Sequence, residues 1–116
     1  MAFTFSGQTL SSPVQGGVFT ASATTDTSSA AGSIVVPFAP SVIQVFDQTN
    51  ANKYEWNNQM AAASMQKTVT AGTFTYVAAA GITVTGPTSA TAVAFTVTLG
   101  TALHTNTSTY RIVCVP

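Results

Sequence analysis

Apolar residues recur at every second position in short runs, and Gly, Pro, Asn and Ser separate the runs; this is the period of half-buried strands. In the cleanest run, Ala92 to Leu99, Val93, Phe95, Val97 and Leu99 point one way and Ala94, Thr96 and Thr98 the other. Residues 42 to 57, VIQVFDQTNANKYEWN, read as a β-hairpin with a polar break at Asn50-Ala51-Asn52. Its first arm has apolar residues on both faces (Val42, Ile43, Val45, Phe46), the pattern of a strand buried on two sides. In its second arm Tyr54 and Trp56 share one face, and Lys53, Glu55 and Asn57 share the other.

Further strands are expected at Val18 to Thr25, Ser33 to Phe38, Thr73 to Ala79, Ile82 to Thr85 and Ser108 to Val115. Within them, Ile34, Val36 and Phe38 share a face, as do Phe74 and Tyr76, and as do Tyr110, Ile112 and Cys114. Turn chemistry marks Asp26 to Gly32, Ala71-Gly72, a tight reversal at Ala80-Gly81, and Gly86-Pro87-Thr88-Ser89. Residues 58 to 67, NQMAAASMQK, carry helix-favouring Ala and Met but no clear cap, and read as continuing strand or bulge rather than helix. Residues 1 to 17 read as an N-terminal arm or edge strand with Phe3 and Phe5 on one face, and 18 to 116 as a single β domain. The pattern predicts an all-β fold of roughly seven to nine short strands with no substantial helix. An antiparallel β-sandwich or jelly-roll-like form is favoured, a closed barrel being the other option.

Composition changes this picture in one respect. Hydrophobic residues are 46% of the 116, an ordinary share, but charged residues are only 5% and net charge is zero, where a typical domain carries about 25% charged residues. Three scattered cations cannot neutralise a phosphate backbone, so nucleic acid is not an expected partner. No apolar run approaches the roughly 20 residues of a membrane-spanning helix, so neither is a membrane. MAFTFSGQTL shows no secretory pattern, and synthesis and use in a cytosol is the expectation. Little charge also means little self-repulsion, which fits a surface committed to neighbouring subunits about equally with a Thr/Ser-rich secreted domain that is simply soluble.

Candidate chemistry is sparse. His104 and Cys114 lie ten residues apart along a loop and strand with no orienting group or oxyanion site marked, so no nucleophilic centre is expected. Cys114 stands alone and reads as a core residue. Asp47 and Glu55 face each other in some hairpin registers, but a glycosidase-type carboxylate pair is less expected than ion pairing with Lys53. Asp47, Asn50, Asn52 and Glu55 offer Ca²⁺-type oxygens without EF-hand spacing, and a turn needs those residues anyway. Tyr54, Trp56 and Tyr76 invite a sugar-stacking platform, against the commoner use of such aromatics in cores and interfaces. Asn106-Thr107-Ser108 fits a glycosylation sequon but carries little weight without a secretory signal.

Three stretches resemble a family of small tailed-phage virion proteins of the capsid decoration, or cement, type. They are VPFAPSVIQVFDQT, then KYEW at 53 to 56 with Met60 following, then QKTVTAGTFTYVAAAGITV at 66 to 84. The likeness spans roughly residues 35 to 99. It implies a structural, non-enzymatic virion protein without cofactor or metal, made in the host cytoplasm and placed on the outer capsid surface. The implied partners are the major capsid protein and copies of itself, as a homotrimer at a local three-fold or alternatively a dimer. Phe3, Phe5, Tyr54, Trp56, Met60 and Tyr76 are the candidate interface or ligand-facing residues. A carbohydrate- or receptor-binding module of a phage fibre or spike is the alternative.

Overall fold

The computed structural model of the chain describes residues 3–10, 17–87 and 94–116. Nine strands follow in order: β1 (Phe3–Leu10), β2 (Phe19–Thr25), β3 (Gly32–Val36), β4 (Val42–Asp47), β5 (Asn52–Asn57), β6 (Ser64–Thr68), β7 (Phe74–Thr85), β8 (Phe95–Leu99) and β9 (Thr109–Val115). A single 3-10 turn, η1 (Thr101–Leu103), is the helical element among the described residues. Ala92 and Val93 of the cleanest run, the turn residues Thr88 and Ser89, and positions 11 to 16 of the N-terminal arm lie outside the described residues.

All nine strands belong to one antiparallel sheet, ordered β1-β2-β9-β4-β5-β6-β7-β8-β3. The sandwich expectation of two facing sheets gives way to one sheet that curls until its edges approach, nearly a barrel. β1, the expected edge strand, is one margin and β3 is the other. With an odd number of strands all paired antiparallel, these margins run in the same direction. They meet through side chains: a Cβ on Gly32 would lie 2.7 Å from the Cβ of Phe3. Glycine is required there for β1 to close over β3.

Alternation does the packing. Inward positions form rows across the sheet: Ala23–Tyr110–Asp47, Ala21–Ile112–Val45–Tyr54 and Phe19–Cys114–Ile43–Trp56. These residues are buried, as are Phe3, Ile34, Val36, Met65, Ile82, Val97, Leu99 and Leu103. Small Ala21 and Ala23 on β2 leave room for Phe3 and Tyr110, whose rings meet edge-on at 5.5 Å. Bulky residues opposite small ones are how a narrow barrel is filled.

Several expectations shift. β4 is buried on one face, not two: Ile43, Val45 and Asp47 point inward, while Val42, Gln44 and Phe46 are half-buried. Strand β3 stops at Val36, because Pro37 cannot donate to a ladder; Phe38 packs against the core from outside the strand. The 58 to 67 segment is turns followed by the start of β6, without helix. Ala80-Gly81 is not a reversal, since β7 runs through it for 12 residues. Its register jumps from Met65↔Val77 to Ser64↔Ile82, leaving 78 to 81 as a bulge, with Ala80 at φ 58°. Glycine serves close approach there. A Cβ on Gly81 would lie 2.9 Å from the Ala63 carbonyl oxygen, and one on Gly100, just after β8, only 2.1 Å from that of Ala80.

Candidate functional site

The outward positions of the sheet also form rows. One reads Ser22–Arg111–Phe46–Lys53–Thr68–Phe74, and the next Thr20–Val113–Gln44–Glu55–Gln66–Tyr76. On them Lys53 pairs with Glu55 at 3.4 Å and lies 5.7 Å from the Phe46 ring centre. Each contact lies on the surface, where such pairs contribute under about 1 kcal/mol. A small depression of about 150 Å³ opens at the β1 bulge beside Arg111, lined by Gly7, Thr20, Ser22 and Val113.

Both rows end on the lower half of β7, where Phe74 is 65% and Tyr76 60% exposed. β8 pairs with β7 only from Ile82 to Thr85, so β6 alone partners Phe74 to Val77 among the described strands. The β6–β7 turn fixes which backbone groups are left over. Val69 N–H donates to the Thr73 carbonyl, and Gly72, at φ +82°, donates to the Val69 carbonyl. This is a type I turn with a glycine bulge. Hydrogen-bonded and non-hydrogen-bonded pairs alternate along an antiparallel ladder. Val69/Thr73, Lys67/Thr75 and Met65/Val77 are therefore the bonded set, and the N–H and C=O groups of Phe74 and Tyr76 point away from β6. The result is a strand edge with backbone groups and two aromatic rings turned outward. From Thr73 to Ala80, TFTYVAAA, it carries no charge and no proline.

At the end of the barrel where the β4–β5 and β8–β9 connections meet, a polar cluster surrounds Asp47. Its carboxylate, buried with no cation partner among the described residues, accepts from Thr49 N–H and Asn50 N–H at 3.1 Å, Asn50 Nδ2 at 2.9 Å and Thr105 Oγ1 at 2.7 Å. Tyr110 donates its hydroxyl to the Leu103 carbonyl at 2.6 Å and accepts from Thr105 N–H at 2.8 Å. Ser108 N–H donates to Thr25 Oγ1 at 2.9 Å. Four donors make this buried charge tolerable, and the network ties β2, β4 and β9 to the loop before β9. Its role is to hold the end shut.

The expected site residues are scattered. Phe3, Tyr54 and Trp56 are buried, Phe5 and Met60 are half-buried against the core, and Tyr76 is exposed. The sugar platform is therefore not assembled, since Tyr54 and Trp56 point inward and Tyr76 does not. Asp47 and Glu55 do not face each other: Asp47 pairs with Asn52 inside, while Glu55 pairs with Gln44 outside, so the Ca²⁺-type oxygens do not converge either. His104 packs edge-on to Phe3 at 5.6 Å, while Cys114 is buried in its ladder between Phe19 and Ile43. Burial pushes the Cys114 thiol up to about 12. It does the same to the Tyr54 phenol, which Asn52 eases without reaching hydrogen-bond geometry. Phe74 and Val35 are exposed large apolar residues that the candidate set omitted. For Phe74 the signal was present in the run TFTYVAAA, which has no charge to mark a solvent side.

No protein-family model matches the chain, and no curated protein or solved structure matches it either.

Proposed function

We propose that the chain is a structural virion protein of the capsid decoration type. It binds the outer surface of a phage head through the major capsid protein and stabilises the shell. The observation that carries this reading is the uncharged, outward-turned strand edge with Phe74 and Tyr76, in a chain of three cations and three acids. Interfaces are enriched in aromatics and depleted of Lys and Glu. The resemblance over residues 35 to 99 supports the same reading. The role needs neither catalysis nor cofactor: a cement protein acts through buried area, and about 1,200–2,000 Å² in total makes a stable contact. Burial of Tyr54 and Trp56 weighs against the glycan-binding alternative.

The test is assembly of heads of the encoding phage with and without this 11.9 kDa protein. It is expected to cosediment with heads and to raise the temperature at which they release DNA. Heads that exclude it, or that hold DNA equally well without it, would overturn the reading.

A further inference from the structure

We infer that the lower edge of β7 is a self-pairing surface, and that two copies of this chain join there by antiparallel strand pairing about a two-fold axis centred on Thr75. The inference deepens the proposed virion role: it assigns the edge that carries that reading to the contact between copies, and the self-association of the free chain tests it separately from binding to heads.

The first argument is hydrogen bonding. Phe74 and Tyr76 direct their N–H and C=O groups away from β6, as the turn register requires. Residues whose groups point at one another form the bonded pairs of an antiparallel ladder. Setting Phe74 opposite the partner's Tyr76, and Tyr76 opposite the partner's Phe74, gives two such pairs and four backbone hydrogen bonds. The two Thr75 residues then face each other across the axis as a non-bonded pair. The arrangement is isologous and closes at two copies.

The second argument is side-chain fit. The same register places Phe74 beside the partner's Tyr76 twice on the outer face. Aromatic cross-strand pairs contribute roughly 0.2–1 kcal/mol each. These rings are 65% and 60% exposed in the single copy.

The third argument is the absence of edge protection. Natural sheets blunt a free edge with charge, proline or a covering element. Thr73 to Ala80 carries no charge and no proline, and zero net charge leaves two copies without mutual repulsion. The margins β1 and β3 approach each other at Phe3 and Gly32, whereas no described strand lies beside the lower half of β7 on the side away from β6. η1 packs beside β7 where β8 ends, which confines the shared ladder to a short stretch around Thr75.

The area predicts a weak pair. Four partly exposed aromatic rings and a short ladder cover well under the ~1,200 Å² of a standard interface. The dimer is therefore expected in roughly the micromolar to millimolar range, tightening where copies are held side by side.

The experiment is sedimentation equilibrium of the full chain over a concentration series, paired with amide exchange. The mass is expected to rise from 11.9 kDa towards twice that value, with the Phe74 and Tyr76 amides gaining protection as concentration rises. Tyr76→Pro removes an outward N–H while sparing the β6 ladder, and Phe74→Lys replaces one of the paired aromatic rings with a charge. Each is expected to leave a folded monomer at every concentration. Val35→Lys, at an exposed apolar site on β3, is expected to dimerise like the parent. A strict monomer up to about 1 mM, growth beyond two copies, or a dimer that persists in Phe74→Lys would overturn the inference. If Tyr76→Pro fails to fold, Phe74→Lys decides alone.

Discussion

Cys114 and Tyr54 sit where their ionised forms have no water. Burial raises the thiol from an ordinary 9.0 to about 12 and the phenol from 10.0 to about 12; burial raises Tyr110 as well. The sign follows from proton counting. Above pH 9 the unfolded chain releases protons that the folded chain retains, so ν_U falls below ν_N and stability declines as pH rises. Stability from these groups is fully present below about pH 9 and is lost towards pH 12. Urea midpoints are expected to hold level from neutrality to about pH 9 and then fall, and Cys114→Ala is expected to move the onset up towards pH 10. A midpoint level through pH 11 in the parent would contradict it. Burial of Cys114 was readable from its apolar neighbours. Asp47 was harder: its charge argued for the surface, while strict alternation with Ile43 and Val45 put it inside, and alternation won because Asn50 in the adjoining turn and Thr105 from far along the chain supply donors.

β7 shows where element reading worked and where it failed. The alternation of Phe74, Tyr76 and Val77 gave the strand, but Ala80-Gly81 read as its end. A glycine after alanines looks the same in sequence whether it turns a chain or lets another backbone pass close by; here it does the second. Gly100 acts likewise, against the Ala80 carbonyl at 2.1 Å for an added Cβ. Neither backbone can yield without breaking the bond from Gly100 N–H to the Gly81 carbonyl. Gly100→Ala is therefore expected to cost about 3 kcal/mol or more, measured as a lowered urea midpoint. A loss under about 1 kcal/mol would mean that the crossing of β7 and β8 is looser than described.

At the scale of the molecule, strand count and class were legible and closure was not. β3 pairs with β8, joining Ile34 to Val97, and no local signal connects segments so far apart. Nor does periodicity distinguish one curled sheet from two stacked ones, since both bury alternate residues. Closure depends on Gly32 beneath Phe3. Gly32→Ala is expected to push β1 off β3, so that β1 amides exchange faster while those of β4 and β9 keep their protection; equal acceleration everywhere would instead signal plain global destabilisation. The chain's single thiol lies within that closed wall, shut between Phe19 and Ile43. A thiol reagent in solution therefore has nothing to attack until the wall parts. Its rate of colour development becomes a clock for whole-barrel opening that needs no added label, and any two copies found together are not joined through sulfur.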